Sequence, residues 1–362
     1  MKNQVTILFA ATISIFTACS KSSSDTTPPT PPPPVVKNDS VTVTHTSVSY
    51  VDVQTSEYPI LSSSMATSLY VGRIIKESDT SNMYSSFSKP VADTNVLNKA
   101  TIYTTLPTDS ISRTDFPSYA LNQSYFNGIL KNNKSAQIGN FIFSDNNSKS
   151  NIQFRFNVFR NLLGVNEDMN TYLNLGFADT SAIDKKNKVV YLQMEQTRFY
   201  INCEPPIYDA FIKIPKTNSS YNNLFGAGEP KIVSSIAYGI SYVIAIMVDS
   251  SKTNELATAV NNFKNEMGKP TKDYNNLSTA DKQIFKNAKV YAVALGQDKK
   301  NYANAEDALT DMASALKKIT NDLTYGGYPI RYSLSNVSNF DVYKRNFKLA
   351  QYADVTEKVP KN

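Results

Sequence analysis

The sequence predicts an α+β protein: a central twisted antiparallel sheet of four long strands, flanked by two helical clusters. Three observations predict it. Residues Ile232–Val248 alternate over a length no ordinary strand needs. The order long strand, helical segment, long strand occurs twice, and the last third of the chain carries a clear amphipathic helix, Ala303–Leu323.

In the long run, Ile232, Ile236, Tyr238, Ile240, Tyr242, Ile244, Ile246 and Val248 share one face, and Ser235, Ala237, Gly239, Ser241 and Ala245 the other. A period of two marks a strand. At about 3.3 Å per residue the run exceeds about 50 Å, against about 17–20 Å for an ordinary strand. A transmembrane helix is the competing reading, but β-branched and Tyr content with strict alternation favours the strand. Gly239, in its middle, fits a bend or a close backbone approach.

The other elements follow from the same periodicities. Candidate strands occupy Ser68–Ile75 and Lys99–Thr105, the second closed by Leu106-Pro107. Residues Phe116–Lys131 read as a helix burying Tyr119, Phe126, Ile129 and Leu130. From Asn151, Ile152, Phe154, Phe156 and Val158 alternate with polar residues as a strand, followed at helical spacing by Phe159, Leu162, Leu163, Met169 and Leu173. A second extended run covers Lys188–Cys203. Beyond the long strand, Leu256, Val260, Phe263 and Met267 recur at helical spacing in Asn254–Met267; a polar stretch reaches Asn287, and a strand covers Lys289–Leu295. The helix at 303–323 buries Ala305, Ala308, Leu309, Met312, Leu316, Ile319 and Leu323, and Tyr325-Gly326-Gly327-Tyr328-Pro329 stops it. Each helical cluster, about 159–187 and 252–288, lies between two long strands, so each is also legible as a β-hairpin.

The amino terminus reads as an export signal. Lys2 is followed by an apolar stretch and then Phe16-Thr17-Ala18-Cys19, small residues before a cysteine whose thiol can be acylated. The expectation is a lipoprotein signal peptide over 1–19, a Ser/Pro-rich tether over 20–45 and a body over 46–362. The tether has no apolar periodicity and cannot bury a core.

Composition excludes several function classes. The chain carries a net charge of +6 without a dense Lys/Arg run, which argues against nucleic acid. His45 is the sole histidine and, apart from Cys19, Cys203 the sole cysteine. A Ser-His-Asp triad, a His-rich zinc site and a disulfide each lack a key residue. No cofactor and no enzyme activity are expected.

The segment Glu229-Pro230-Lys231-Ile232-Val233-Ser234-Ser235-Ile236-Ala237-Tyr238-Gly239, continuing through Tyr242-Val243 to Asp249-Ser250-Ser251, resembles the core strand and serine-rich turn of the cholesterol-dependent (thiol-activated) cytolysins. Tyr191–Tyr200, Val290–Asp298 and Tyr328-Pro329-Ile330-Arg331-Tyr332 follow in that family's order, and Tyr58-Pro59 and Thr101–Pro107 are similar to its amino-terminal part. The resemblance implies an elongated cytolysin-like body whose two helical clusters refold into transmembrane β-hairpins. Phe154, Phe156, Val158, Leu256, Val260 and Phe263 are then the membrane-insertion candidates, and Gly239 and Gly296 the hinge candidates. The family carries paired glycines where this chain has Gly296-Gln297.

The family's further C-terminal domain, with its Trp-rich loop, recognises cholesterol and the membrane. This chain is expected to be a short form without it, as it has no Trp. The resemblance therefore implies a pore-forming component that oligomerises with itself or with a longer cytolysin-like protein supplying membrane recognition. Its lipid anchor at Cys19 implies an exported bacterial lipoprotein at the outer membrane or cell surface. The alternative is a non-lytic surface lipoprotein that keeps the scaffold for binding or attachment.

Overall fold

A computed structural model of the chain describes residues 40–82, 87, 90–91, 95–106, 112–132, 141–148, 187–204 and 211–360. Cys19, most of the expected tether, and the strand and helical cluster expected from 151 to 186 lie outside the described residues. Residues 40–45 of the expected 20–45 tether are strand. Strand β1 already begins at Ser40 and runs to Thr55, where Val, Thr and Ser residues replace the prolines.

The chain divides into two compact units, one covering His45–Val355 and the other joining the two chain ends. In the second, the described residues are the outer ends of β1 and of β11 (Arg345–Pro360), which form a two-stranded sheet.

In the large unit a nine-stranded sheet has the path β2 (Glu57–Pro59), β10 (Tyr328–Asn336), β8 (Lys231–Asp249), β7 (Asn187–Glu204), β4 (Ala100–Thr104) and β5 (Ser112–Asp115). Three strands join it off this path: β3 (Ile74–Ile75) and β9 (Lys289–Ala294) on β8, and β6 (Phe141–Ser148) on β7. All pairings are antiparallel. The expected four-stranded sheet is one end of this larger one, in the order β6-β7-β8-β9. The strand beside β7 is Phe141–Ser148, and the one expected at 151–158 lies outside the described residues. The long strand is 19 residues, and its length lets it change partners: β10 flanks it over 231–239 and β9 over 242–247.

Two hydrophobic cores follow from this exchange. Ile232, Ile236 and Tyr238 of β8 enter one, with helix α2 (Tyr119–Asn132) and α3 (Ser219–Phe225). Ile240, Tyr242, Ile244, Ile246 and Val248 enter the other, under α4 (Thr253–Gly268), α5 (Thr279–Lys286) and α6 (Ala305–Asn321). The side of small residues is buried as well, with Ser241 and Val243 at 0% exposure.

Strand β7 serves both cores by changing phase. Val190, Leu192 and Met194 face the helical core, whereas Phe199, Ile201 and Cys203 face the other. Pairing shifts by one residue between Thr197 and Phe199, so Arg198 is the extra residue of a β-bulge and even positions hand over to odd ones.

Several local expectations are corrected. Ser68–Ile75 is strand only at Ile74–Ile75; Ser68 closes helix α1 (Ser63–Ser68), and Gly72 at φ 88° turns the chain. In α2, Tyr119 is exposed at 37%, and Leu121 and Tyr125 are buried instead, because the helix begins at Tyr119 itself. The polar stretch before Asn287 contains α5. Its start is signed by Ser278, which accepts from the Asp281 amide at 3.1 Å and donates to its carboxylate at 2.7 Å, a reciprocal cap.

Candidate functional site

The site is the four-stranded end of the sheet with the helical cluster on its face. Helix α4 buries Leu256, Ala259, Val260, Phe263 and Met267, spaced i, i+3, i+4, i+7 and i+11, one stripe of a 3.6-residue period. The insertion candidates Leu256, Val260 and Phe263 have exposures of 0%, 1% and 0%. Phe263 meets Tyr274, in the turn before α5, and Phe285 of α5, each with ring centroids 6.3 Å away. The described insertion candidates are therefore core residues, held against β7 and β8. Phe154, Phe156 and Val158 lie outside the described residues.

A polar network closes the turn that leaves α4. Glu266, almost fully buried, accepts from Lys269 Nζ (2.6 Å), Asn276 Nδ2 (2.7 Å) and Thr271 Oγ1 (3.1 Å). These hydrogen bonds, the one from Lys269 foremost, hold its carboxyl below the ordinary range. Beside it, both oxygens of the Asp281 carboxylate accept from Asn262 Nδ2 at 3.1 Å, tying α5 to α4.

The two hinge candidates sit together where β10 gives way to β9 along β8. A side chain at Gly239 would overlap the Gln196 carbonyl, and one at Gly296, which has φ 71°, would overlap the Pro329 carbonyl. Between them stands a third glycine that the sequence marked only as a helix stop. Gly327, at φ 79°, packs its backbone on the Gly239 carbonyl. These positions need glycine for close approach and, at 296 and 327, for a left-handed backbone. The bulge at Arg198 is directly across the β7–β8 pairing.

Charged groups fix the same junction. Glu195 of β7 takes Arg331 Nε at 3.0 and 3.2 Å and Arg331 Nη2 at 2.9 Å, and accepts from Ser241 Oγ of β8 at 3.0 Å. Three neighbouring strands are thereby tied by one carboxylate that is nearly removed from water. On the helical face, Asp311 of α6 accepts from Tyr242 Oη of β8 at 3.1 Å, Tyr302 Oη at 2.7 Å and Lys300 Nζ at 2.7 Å. Neither network was visible in the sequence, since Arg331 lies 136 residues from Glu195 and Asp311 69 residues from Tyr242.

No group of His, Cys, Asp and Glu among the described residues could hold a metal ion. No described helix is long and apolar enough to cross a membrane.

No protein-family model matches the sequence, and no curated protein matches it. Solved structures do. The fold is similar over 90% of this chain and 68% of the other to a toxin described as "Trapped Toxin", with a TM-score of 0.61 and 18% identity. Against pneumolysin the likeness covers 88% of this chain and 68% of the other, with a TM-score of 0.60 and 15% identity. A non-hemolytic pneumolysin from Streptococcus pneumoniae strain ST306 gives the same coverage, a TM-score of 0.58 and 15% identity. The chain thus shares the fold of these toxins. That fold is the one of the cholesterol-dependent cytolysins, of which the chain spans about two thirds.

Proposed function

We propose that this protein is the pore-forming component of a cytolysin-like assembly. In this reading it is exported, anchored through Cys19 at the outer membrane or cell surface, and carried on the Ser/Pro-rich tether. It associates edge to edge with its own kind or with a longer cytolysin-like protein, which supplies membrane recognition. The helical clusters then leave the sheet and become membrane-spanning hairpins.

One observation carries the reading. Helices α4 and α5 are inserted between two adjacent antiparallel strands, β8 and β9, and cover the face those strands build. Straightening the connection extends both strands in place, so no pairing need be remade. The glycine contacts at 239, 296 and 327 supply a point where β10 and β9 can separate.

A second reading, a non-lytic surface lipoprotein, is favoured by a different observation. The α4 stripe splits when the segment is extended: Leu256 and Val260 fall on one face, Phe263 and Met267 on the other. A membrane strand needs one continuous apolar face over about 9–11 residues.

Dye release from liposomes separates the two. The mature protein is added alone, after limited proteolysis, and mixed with a longer cytolysin-like protein. Release with rings visible by electron microscopy supports the pore; silence in every combination leaves the non-lytic reading.

A further inference from the structure

A pocket opens where β8 begins and β10 ends, away from the helical cluster. β8 has 19 residues, so at about 3.3 Å per residue the pocket lies roughly 60 Å along the strand from its α4 end. Its walls are apolar: Phe211, Ile214, Pro215 and Val337, with Tyr221 of α3. Pairing between distant segments builds it. Ile212 bridges to Leu97, and the Val337 amide donates to the Pro230 carbonyl at 3.2 Å. Sites for drug-sized ligands run from about 300 to 1,000 Å³. This one, at about 290 Å³, takes a single side chain or a group of that size.

Its polar groups gather in one place. The Glu229 carboxylate accepts from Lys216 Nζ through one oxygen and from the Ser338 amide at 2.9 Å through the other. Burial alone would raise this carboxyl, but the hydrogen bonds from Lys216 and Ser338 outweigh it and hold the group below its ordinary value. The site therefore carries one positive and one negative charge. An ammonium has three donors and a carboxylate about four acceptor positions, so the pair has both kinds left for a ligand. The turn that supplies Val337 and Ser338 also exposes Val342, at 53% the most exposed large apolar side chain among the described residues.

We propose that this pocket docks an extended, uncharged segment of a partner protein. One apolar side chain of the segment sits between Phe211, Ile214 and Val337, and its flanking peptide groups bond to Lys216 and Glu229. Charge balance selects a neutral ligand. An anion gains from Lys216 what it loses to Glu229, and a cation the reverse, whereas a peptide unit offers a carbonyl to the one and an N–H to the other. Val342 selects a protein over a small molecule, because it adds apolar contact area outside a pocket that one side chain already fills. An apolar anchor ringed by polar groups is the common centre of a protein interface. The proposal is independent of pore formation, and a partner held here leaves the α4–α5 layer uncovered.

Ligand-observed NMR on the full chain tests this with N-acetyl-leucine methylamide, one apolar side chain between two peptide groups. Wild type is expected to bind it with a Kd of about 1–10 mM, and the glycine analogue about tenfold more weakly. Val337→Asp, which puts a charge in the apolar wall, and Lys216→Met, which removes the donor, are each expected to weaken the probe by about tenfold. Melting temperatures of both variants report that they are folded. No saturation of wild type up to about 20 mM, or equal binding of the glycine analogue, overturns the proposal. Binding that neither variant weakens lies elsewhere on the chain and overturns it too. If phosphatidylcholine vesicles displace the probe from wild type, the pocket takes lipid and the peptide assignment falls. None of these readouts involves lysis, so the pore reading stands or falls separately by dye release.

Discussion

The guanidinium of Arg198 reaches the end of α6, where Nη1 donates to the carbonyl of Ile319 in its last turn at 2.5 Å and Nη2 to the carbonyl of Leu323, just beyond it, at 3.2 Å. A helix ends with carbonyls that lack partners, and a cation there also complements the helix dipole. The residue that breaks the pairing of β7 is thus the residue that caps α6, and it is buried at 2% exposure. Replacing it removes both hydrogen bonds. Arg198→Met is expected to lower stability by about 1–3 kcal/mol in chemical denaturation, and Arg198→Lys to recover part of the loss. Equal stability of Arg198→Met and wild type would contradict the capping role.

The glycine junction makes a graded prediction. Gly327→Ala meets both a backbone overlap with Gly239 and a left-handed φ, whereas Gly226→Ala, at φ 86° in open space, meets only the second. The Gly226 variant is expected to lose about 1 kcal/mol and the Gly327 variant clearly more. Melting temperatures of the two, measured side by side, check the order.

Phe263 anchors the helical cluster in the core. Phe263→Ala is expected to cost about 3–5 kcal/mol, and exchange of the α4 amides should rise before that of β8. If α4 and β8 open together, the cluster is not a separately releasable layer.

The pH dependence has a fixed sign. Burial alone pushes the Asp311 carboxyl up, but hydrogen bonds from Lys300 and Tyr302 outweigh it and hold the group below its ordinary value; Glu266 is held low as well. A group with a depressed folded pKa adds stability above its unfolded pKa and loses it as pH falls through the folded one. Denaturation midpoints should therefore hold from neutral to about pH 5 and drop below about pH 4. The Asp311→Asn variant should show a shallower drop.

Cys203 is 7% exposed, and burial, with Glu204 nearby, pushes its thiol up to about 12. A thiol reagent should leave it unmodified in the folded protein and label it after denaturation. Labelling under native conditions would show that the β4–β7 pairing opens.

Much of this fold was legible because the elements are long. The alternation over 232–248 and the stripe 256, 260, 263, 267 each exceed a few periods, and both were placed nearly to the residue. Leu256, Val260 and Phe263 were likewise readable as one helix face, and Gly239 as a point of close backbone approach. What escaped has physical causes. Strand β6 carries Asp145, Asn146 and Asn147, so its sequence does not alternate. Gly327 looked like a helix stop because its other duty, packing on Gly239, depends on a partner 88 residues away. Asp311, Tyr302 and Tyr242 read as ordinary surface and core residues until the fold brings them together.

The bulge at Arg198 has one more consequence, for how this chain can drift. On either side of it β7 is in opposite phase, each half matched to its own core. Removing one residue elsewhere in β7 would turn Phe199, Ile201 and Cys203, or Val190, Leu192 and Met194, away from the core that receives them. Substitutions in this strand can be absorbed one at a time; a change in its length by a single residue cannot.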